Sequence, residues 1–183
     1  MVPDFALRIH AMIRSLREVV LPALPNDEML AIDQANILVG YLGIMAEQHD
    51  RVLQYLLVEL AEYAELLSAM VEDAEGAQPI EDAVAKARAA LGLAAPILQM
   101  SIPRQDELSA LVRSLKESVD ELLLAARQDG TPAYRQASSK RVMLQAEQQI
   151  LRESAWFRAS GFELAASQLP SIDDVLLLNP GKS

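Results

Sequence analysis

The sequence has no cysteine and only two histidines. The first absence excludes disulfides, thiolate metal sites and cysteine nucleophiles, and it accords with a reducing cytoplasm, the compartment expected for this chain. Two histidines leave few ligands for zinc. Aromatic residues make up only 4% of the chain, while alanine and leucine dominate its 51% hydrophobic content. Such a core suits closely approaching helices better than a sandwich or barrel, and no alternating run of useful length marks a strand. Basic residues are also short: 16 Lys and Arg stand against 26 Asp and Glu, for a formal net charge of −10. No nucleic-acid partner is expected, because that role needs a cationic surface to displace phosphate counterions. Long apolar runs are missing too. The longest uncharged run, Ala89 to Pro103, contains Gly92, Pro96 and Pro103. It falls short of the ~20 apolar residues of a spanning helix. The opening Met1-Val2-Pro3-Asp4-Phe5 leads into mixed charge and not into a basic region with an apolar run behind it. The chain is therefore expected neither to span a membrane nor to carry a secretory signal.

What is present is helical period. From Asn26 to Asp73 there is no proline, and Leu30, Ile37, Leu38, Leu42, Met45, Val52, Leu53, Leu56, Leu60, Tyr63, Leu67 and Met70 recur at steps of three, four and seven. That is the period of a helix burying one stripe. As one helix, residues 27–73 would be roughly 70 Å long at 1.5 Å per residue, spanning the molecule or bending near Gly40 and Gly43. Each glycine costs ~1 kcal/mol against alanine inside a helix, which calls for close approach of another helix or for a bend. The expected fold is all-α, an antiparallel up-and-down bundle of about five main helices around this long central one. Residues 1–168 form a single bundle domain and 169–183 a tail with a short aliphatic docking segment.

The remaining elements read in order. Residues 4–20 make a first amphipathic helix on Phe5, Ile9, Met12, Ile13, Leu16, Val19 and Val20, ended by Pro22 and Pro25. Asn26 or Asp27 can cap the helix that follows. Gly76 and Pro79 mark a turn, and a third helix runs from Ile80 to Leu91 before Gly92. Residues 94–102, interrupted by Pro96, read as a short buried helix or an irregular linker. A fourth helix from Ser101 or Pro103 to Gly130 carries Leu108, Leu111, Val112, Leu115, Val119, Leu122, Leu123 and Ala126 on one face. Thr131 and Pro132 open a fifth that reaches about Ala159. Gln145, Gln148 and Gln149 dilute its apolar positions, so it is peripheral or turned toward a polar groove or partner. Behind Ser171, the residues Val175, Leu176, Leu177 and Leu178 are too aliphatic for a disordered tail. They are expected to dock, on their own bundle or on a second subunit.

Tests for catalytic and metal motifs return little. A di-iron bundle needs Glu-x-x-His pairs, yet Ala46 and Leu7 stand three residues before His49 and His10. No Gly-x-Ser-x-Gly or Ser-x-x-Lys is present. The final Gly181-Lys182-Ser183 lacks the glycine of a phosphate-binding loop, where Leu176 stands. No catalytic residue, metal or cofactor is assigned. His49 lies in the apolar stripe between Met45 and Val52. It is either bonded structurally to a carboxylate or carbonyl, or a general base in an inter-helix pocket with Met45, Tyr41 and Tyr55. No basic residue falls between Arg51 and Lys86, a span that includes Glu59, Glu62, Glu65, Glu72 and Asp73. These read as a solvated acidic surface, with Arg113, Lys116, Arg127, Arg135, Lys140 and Arg141 of the later helices as available partners, or as a dock for a basic partner or a weak divalent-cation site.

The opening, with Val20-Leu21-Pro22-Ala23-Leu24 at its centre and a long Ala-, Ile- and Leu-rich helix after it, resembles small helical proteins of unknown function. These are encoded in bacteria near acyl-CoA dehydrogenases and aminoglycoside-phosphotransferase-like kinases. The resemblance covers the first third of the chain. It implies an accessory role in acyl-CoA or related catabolism and transfers no catalytic residues. The residues themselves point to a non-catalytic helical-bundle protein that acts through a homodimer or a protein partner. The alternative is a small-molecule-binding protein or enzyme with a pocket near His49.

Overall fold

The computed structural model describes residues 4–100, 103–158 and 168–177. The fold is all-α, a bundle of helices. Helix α1 (Phe5–Ser15) starts where the Asp4 carboxylate accepts the Leu7 N–H at 2.9 Å, satisfying one of the free donors of its first turn. It continues through a π turn (Leu16–Val20) and α2 (Leu21–Ala23) until Leu24, ahead of Pro25, takes an extended conformation. Helix α3 spans Met29–Gln48 with Glu28 before it and no side-chain cap, so neither Asn26 nor Asp27 performs that task.

The expected long helix is two helices. Helix α3 ends at Gln48 and α4 runs Val52–Glu72. The interruption falls at His49, Asp50 and Arg51, and Gly40 and Gly43 lie inside unbroken helix. Two side chains stop α3. His49 Nδ1 lies 3.1 Å from the Ala46 carbonyl, and Arg51 Nη1 donates to the Glu47 carbonyl at 2.6 Å. Carbonyls that would accept from the next turn are thereby taken by side chains, which is how basic residues close a helix C-terminus. At Gly43 an added Cβ would meet nothing within 4 Å, so close approach does not explain that glycine.

Helix α5 covers Gln78–Leu98, with Pro79 at its start as expected. It then runs over Gly92 and Pro96, absorbing most of the segment left ambiguous between helix and linker. Pro96 sits in the last turn, where it removes only the bond its N–H would have given the Gly92 carbonyl. Helix α6 (Gln105–Asp129) buries Leu108, Val112, Leu115, Val119, Leu122 and Ala126, most of the stripe read from sequence. Thr131 opens α7 (Pro132–Phe157), its Oγ1 accepting the Tyr134 N–H at 3.2 Å. A short α8 (Ile172–Leu177) closes the described chain, capped by Ser171 Oγ, which accepts the Asp174 N–H at 3.1 Å.

The chain divides into two compact units, one of Met1–Val52 with Leu151–Leu177, the other of Leu53–Ile150. The aliphatic segment behind Ser171, expected to dock on its own bundle or on a second subunit, forms α8 and belongs to the first unit. In the second unit the core joins Leu60, Leu67 and Met70 of α4, Ile80 of α5, Leu115 and Leu122 of α6, and Tyr134 of α7. The buried face of α5 also carries Ala83, Ala87, Ala90 and Ala94. Small side chains at steps of four and three let backbones come close, and α5 packs against α6. The turn after α4 meets the turn after α6: Gly76 and Gly130 form a bridge, and Thr131 N donates to the Glu75 carbonyl at 3.2 Å.

In the first unit α1 packs against α3. The inward residues of α3 are Ala35, Val39, Ile44, Ala46 and Gln48, and α1 buries only Ile9. Of the α3 residues in the stripe expected to be internal, Leu30, Leu38 and Met45 face outward, while Ile37 and Leu42 are half-buried. Leu30, Leu38, Tyr41 and Met45 of α3 are each more than half exposed, as are Phe5, Met12 and Val19 on the chain before it. The physical reason is size. Helix α3 is apolar on more than one side, and alanines allow closer packing than leucine and tyrosine, so the alanine side turns in. Among the described residues α3 is also long and apolar enough to cross a membrane, by length and composition alone.

Candidate functional site

The break after α3 places a run of functional groups where no helix constrains them. A cavity of about 420 Å³ opens there, lined by Ala46, Glu47, Gln48, His49, Asp50 and Arg51, by Ala155 and Arg158 at the end of α7, and by Ser171, Ile172 and Asp173. All of these belong to the first unit. Arg51 organises the wall. Its Nε and Nη2 grip the two Asp173 oxygens at 2.6 and 3.0 Å, and Nη1 also reaches Asp50 at 3.0 Å. A paired, two-pronged guanidinium–carboxylate contact of this kind is short and directional. The Arg51 guanidinium holds the Asp173 carboxyl below the usual carboxylate range, and Asp173 in turn raises Arg51.

His49 is exposed at the cavity edge. Because the Ala46 carbonyl can only accept, a hydrogen bond there requires the proton on Nδ1. Gln48 is only 5% exposed, and its Oε1 is buried with no hydrogen-bond partner among the described residues. Ser171 Oγ is occupied as the cap of α8 and as donor to Asp174 Oδ2 at 2.6 Å. The arrangement can bind a small polar molecule. It offers no nucleophile bonded to His49, whose hydrogen-bond partner among the described residues is the Ala46 carbonyl.

Of the pocket residues expected from sequence, His49 lines the cavity and the others do not. Tyr41 and Met45 are exposed on the outer side of α3, and Tyr55 belongs to the second unit. The residues missed, Arg51, Asp173 and Gln48, carried one usable signal. His49 and Arg51 are basic groups beyond a last turn, as at a helix C-terminus, and the apolar steps through Val52 concealed them.

The expected acidic surface is corrected in part. Glu65, Glu72 and Asp73 are exposed, and Arg141 pairs with Asp73. Glu59 and Glu62 are buried, at 5% and 7% exposure. They share the inward side of α4 with Leu66 and Met70. Lys116 Nζ donates to Glu59 at 2.6 Å and lies 5.1 Å from the Tyr63 ring centre. Gln145 donates to Glu62 at 2.8 Å, and Tyr63 donates to Gln149 at 2.6 Å. This polar seam accounts for Gln145 and Gln149, and Gln145 and Gln148 line a second cleft of about 250 Å³ with Glu62, Glu65 and Arg141. Among the described residues no cluster of metal-ligating side chains occurs.

Of the two docking modes expected for the aliphatic segment, packing on its own bundle is the one seen. Val175 and Leu176 are buried within the chain, while Leu178 and the Leu177 side chain lie outside the described residues. Compared with family models, with curated proteins and with solved structures, the chain matches none.

Proposed function

We propose that this is a non-catalytic helical-bundle protein that acts by self-association or by holding a protein partner, and that α1 and α3 provide the docking face. The supporting observation is the outward stripe of Leu30, Leu38, Tyr41 and Met45. Contiguous apolar surface of that extent usually marks an interaction site. The excess apolar surface expected in the tail is found here instead, because Val175 and Leu176 pack internally. A double substitution, Leu38→Asp with Tyr41→Asp, tests the reading. Both side chains are exposed, so stability should change by no more than ~0.5 kcal/mol, while association and hydrophobic-dye binding are lost. Unfolding of the variant would show the stripe to be core, and unchanged association and dye binding would remove the face from consideration.

A second reading rests on the cavity beside His49. Its volume lies within the ~300–1,000 Å³ of small-molecule sites, and the exposed His49 and Asp50 give its wall polar groups. Native mass spectrometry should then detect added mass that leaves on denaturation and is absent from His49→Trp, which fills the cavity from an exposed position. A protein of unliganded mass that shows no thermal stabilisation by small polar compounds would set this reading aside.

A further inference from the structure

The outward face has a charge pattern that identifies what covers it. On α1, Arg8 sits three residues after Phe5 and four before Met12, within the exposed apolar edge. On α3, Asp33 sits three residues after Leu30 and four before Ile37, in the equivalent place. Both charged side chains are exposed, and neither has a partner among the described residues. Helix α1 carries Arg8 and Arg14, the latter paired with Glu18 of the π turn that continues it, whereas α3 carries Asp33 and Glu47 and no base.

We propose that this face is covered by the same face of a second copy of the chain. A two-fold arrangement would set α1 of one protomer along α3 of its partner, pairing Arg8 with the partner subunit's Asp33. The inference rests on reading α1 and α3 as a docking face. An isologous interface requires a surface complementary to itself, so that each contact occurs twice. An unpaired arginine on α1 beside an unpaired aspartate on α3, in helices that pack together, meets that requirement. The seven-residue intervals Phe5–Met12, Leu30–Ile37 and Leu38–Met45 are the spacing by which side chains of one helix enter gaps in another. Phe5, Met12, Leu30, Leu38, Tyr41 and Met45 together offer on the order of 600–900 Å² of apolar surface, at a hundred or more Å² each. That is close to the ~800 Å² each partner contributes to a stable interface. A lipid surface fits less well, because Asp33 and Glu47 on α3 are repelled by anionic headgroups.

Sedimentation equilibrium of the full chain at micromolar concentration, at low and at physiological salt, tests the proposal. A dimer is expected. Arg8→Asp and Asp33→Arg should each raise the dimer dissociation constant by ~tenfold or more through like-charge contact, and the doubly substituted chain should recover most of the affinity. Circular dichroism verifies that all variants remain folded. A dimer indifferent to both reversals, or one not recovered by the double substitution, overturns the proposal. The wider docking-face reading then survives only if Leu38→Asp still dissociates the dimer. A monomer overturns it as well. Binding of that monomer to vesicles of mixed zwitterionic and anionic phospholipid, abolished by Leu38→Asp, would assign the face to a membrane; no binding and no dye uptake would end both readings.

Discussion

The Tyr134 hydroxyl donates to the Met70 carbonyl at 3.0 Å, joining the first turn of α7 to the end of α4 across 64 residues of sequence. Both residues are buried in the core of the second unit, and burial pushes the Tyr134 phenol above its ordinary pKa. Helix ends leave carbonyls without partners, and here a tyrosine from another helix supplies one. Tyr134→Phe keeps the ring and removes the donor, so it should cost about 1–3 kcal/mol, the desolvation penalty of an unsatisfied buried carbonyl. Urea denaturation measures this as a lower midpoint with an unchanged slope.

The Lys116–Glu59 pair gives an asymmetric prediction. Glu59 is 5% exposed, whereas the Lys116 side chain is 35% exposed. Removing the lysine charge with Lys116→Met strands a buried carboxylate and should cost about 1–3 kcal/mol, less than a fully buried pair because solvent reaches the lysine. Combining it with Glu59→Gln should recover part of the loss. Additive losses in the double variant, measured by thermal unfolding, would mean that the pair contributes nothing by its interaction.

Glycine has two opposite roles. A Cβ at Gly76 would lie 2.8 Å from the Asp129 carbonyl oxygen and strike the Ile80 side chain, whereas one at Gly43 or Gly92 meets nothing within 4 Å. Gly76→Ala should therefore destabilise by about 1–3 kcal/mol through a forced backbone shift. Gly43→Ala and Gly92→Ala, inside helices, should each stabilise by roughly 0.5–1 kcal/mol. Calorimetry on the three variants should move melting temperatures in these opposite directions.

Arg51 also predicts a pH dependence. Its hydrogen bonds lower the Asp173 pKa in the folded chain below the ~3.9 of a free aspartate. The stabilisation of α8 is thus fully present above the unfolded value. It is lost as pH falls below about 4 and through the lowered folded value. Hydrogen exchange of the α8 amides should quicken over that window, and in Asp173→Asn this dependence should be absent. Equal acid dependence in both proteins would show that another group controls α8.

Much of the fold is legible in the sequence wherever the signal is local. Pro79 opens α5, Thr131 and Pro132 open α7, and the α6 stripe buries nearly as its period predicts. These features need only a few adjacent residues, because a cap or a proline acts within one turn. The candidate site was less legible. His49 was singled out, but its neighbours Arg158, Ser171 and Asp173 come from distant segments that no spacing rule connects.

The sequence by itself determined that the chain is helical and where most helices begin. Only the tertiary structure decided which side of α3 turns inward, that α3 and α4 are separate, and that Glu59 and Glu62 are enclosed. A periodic apolar stripe states that a face avoids water and does not state what supplies the alternative. Ala35, Val39 and Ala46 allow closer packing inside the unit than Leu30, Tyr41 and Met45. A buried glutamate likewise depends on a lysine or glutamine delivered by another helix, and that delivery is a property of three-dimensional packing alone.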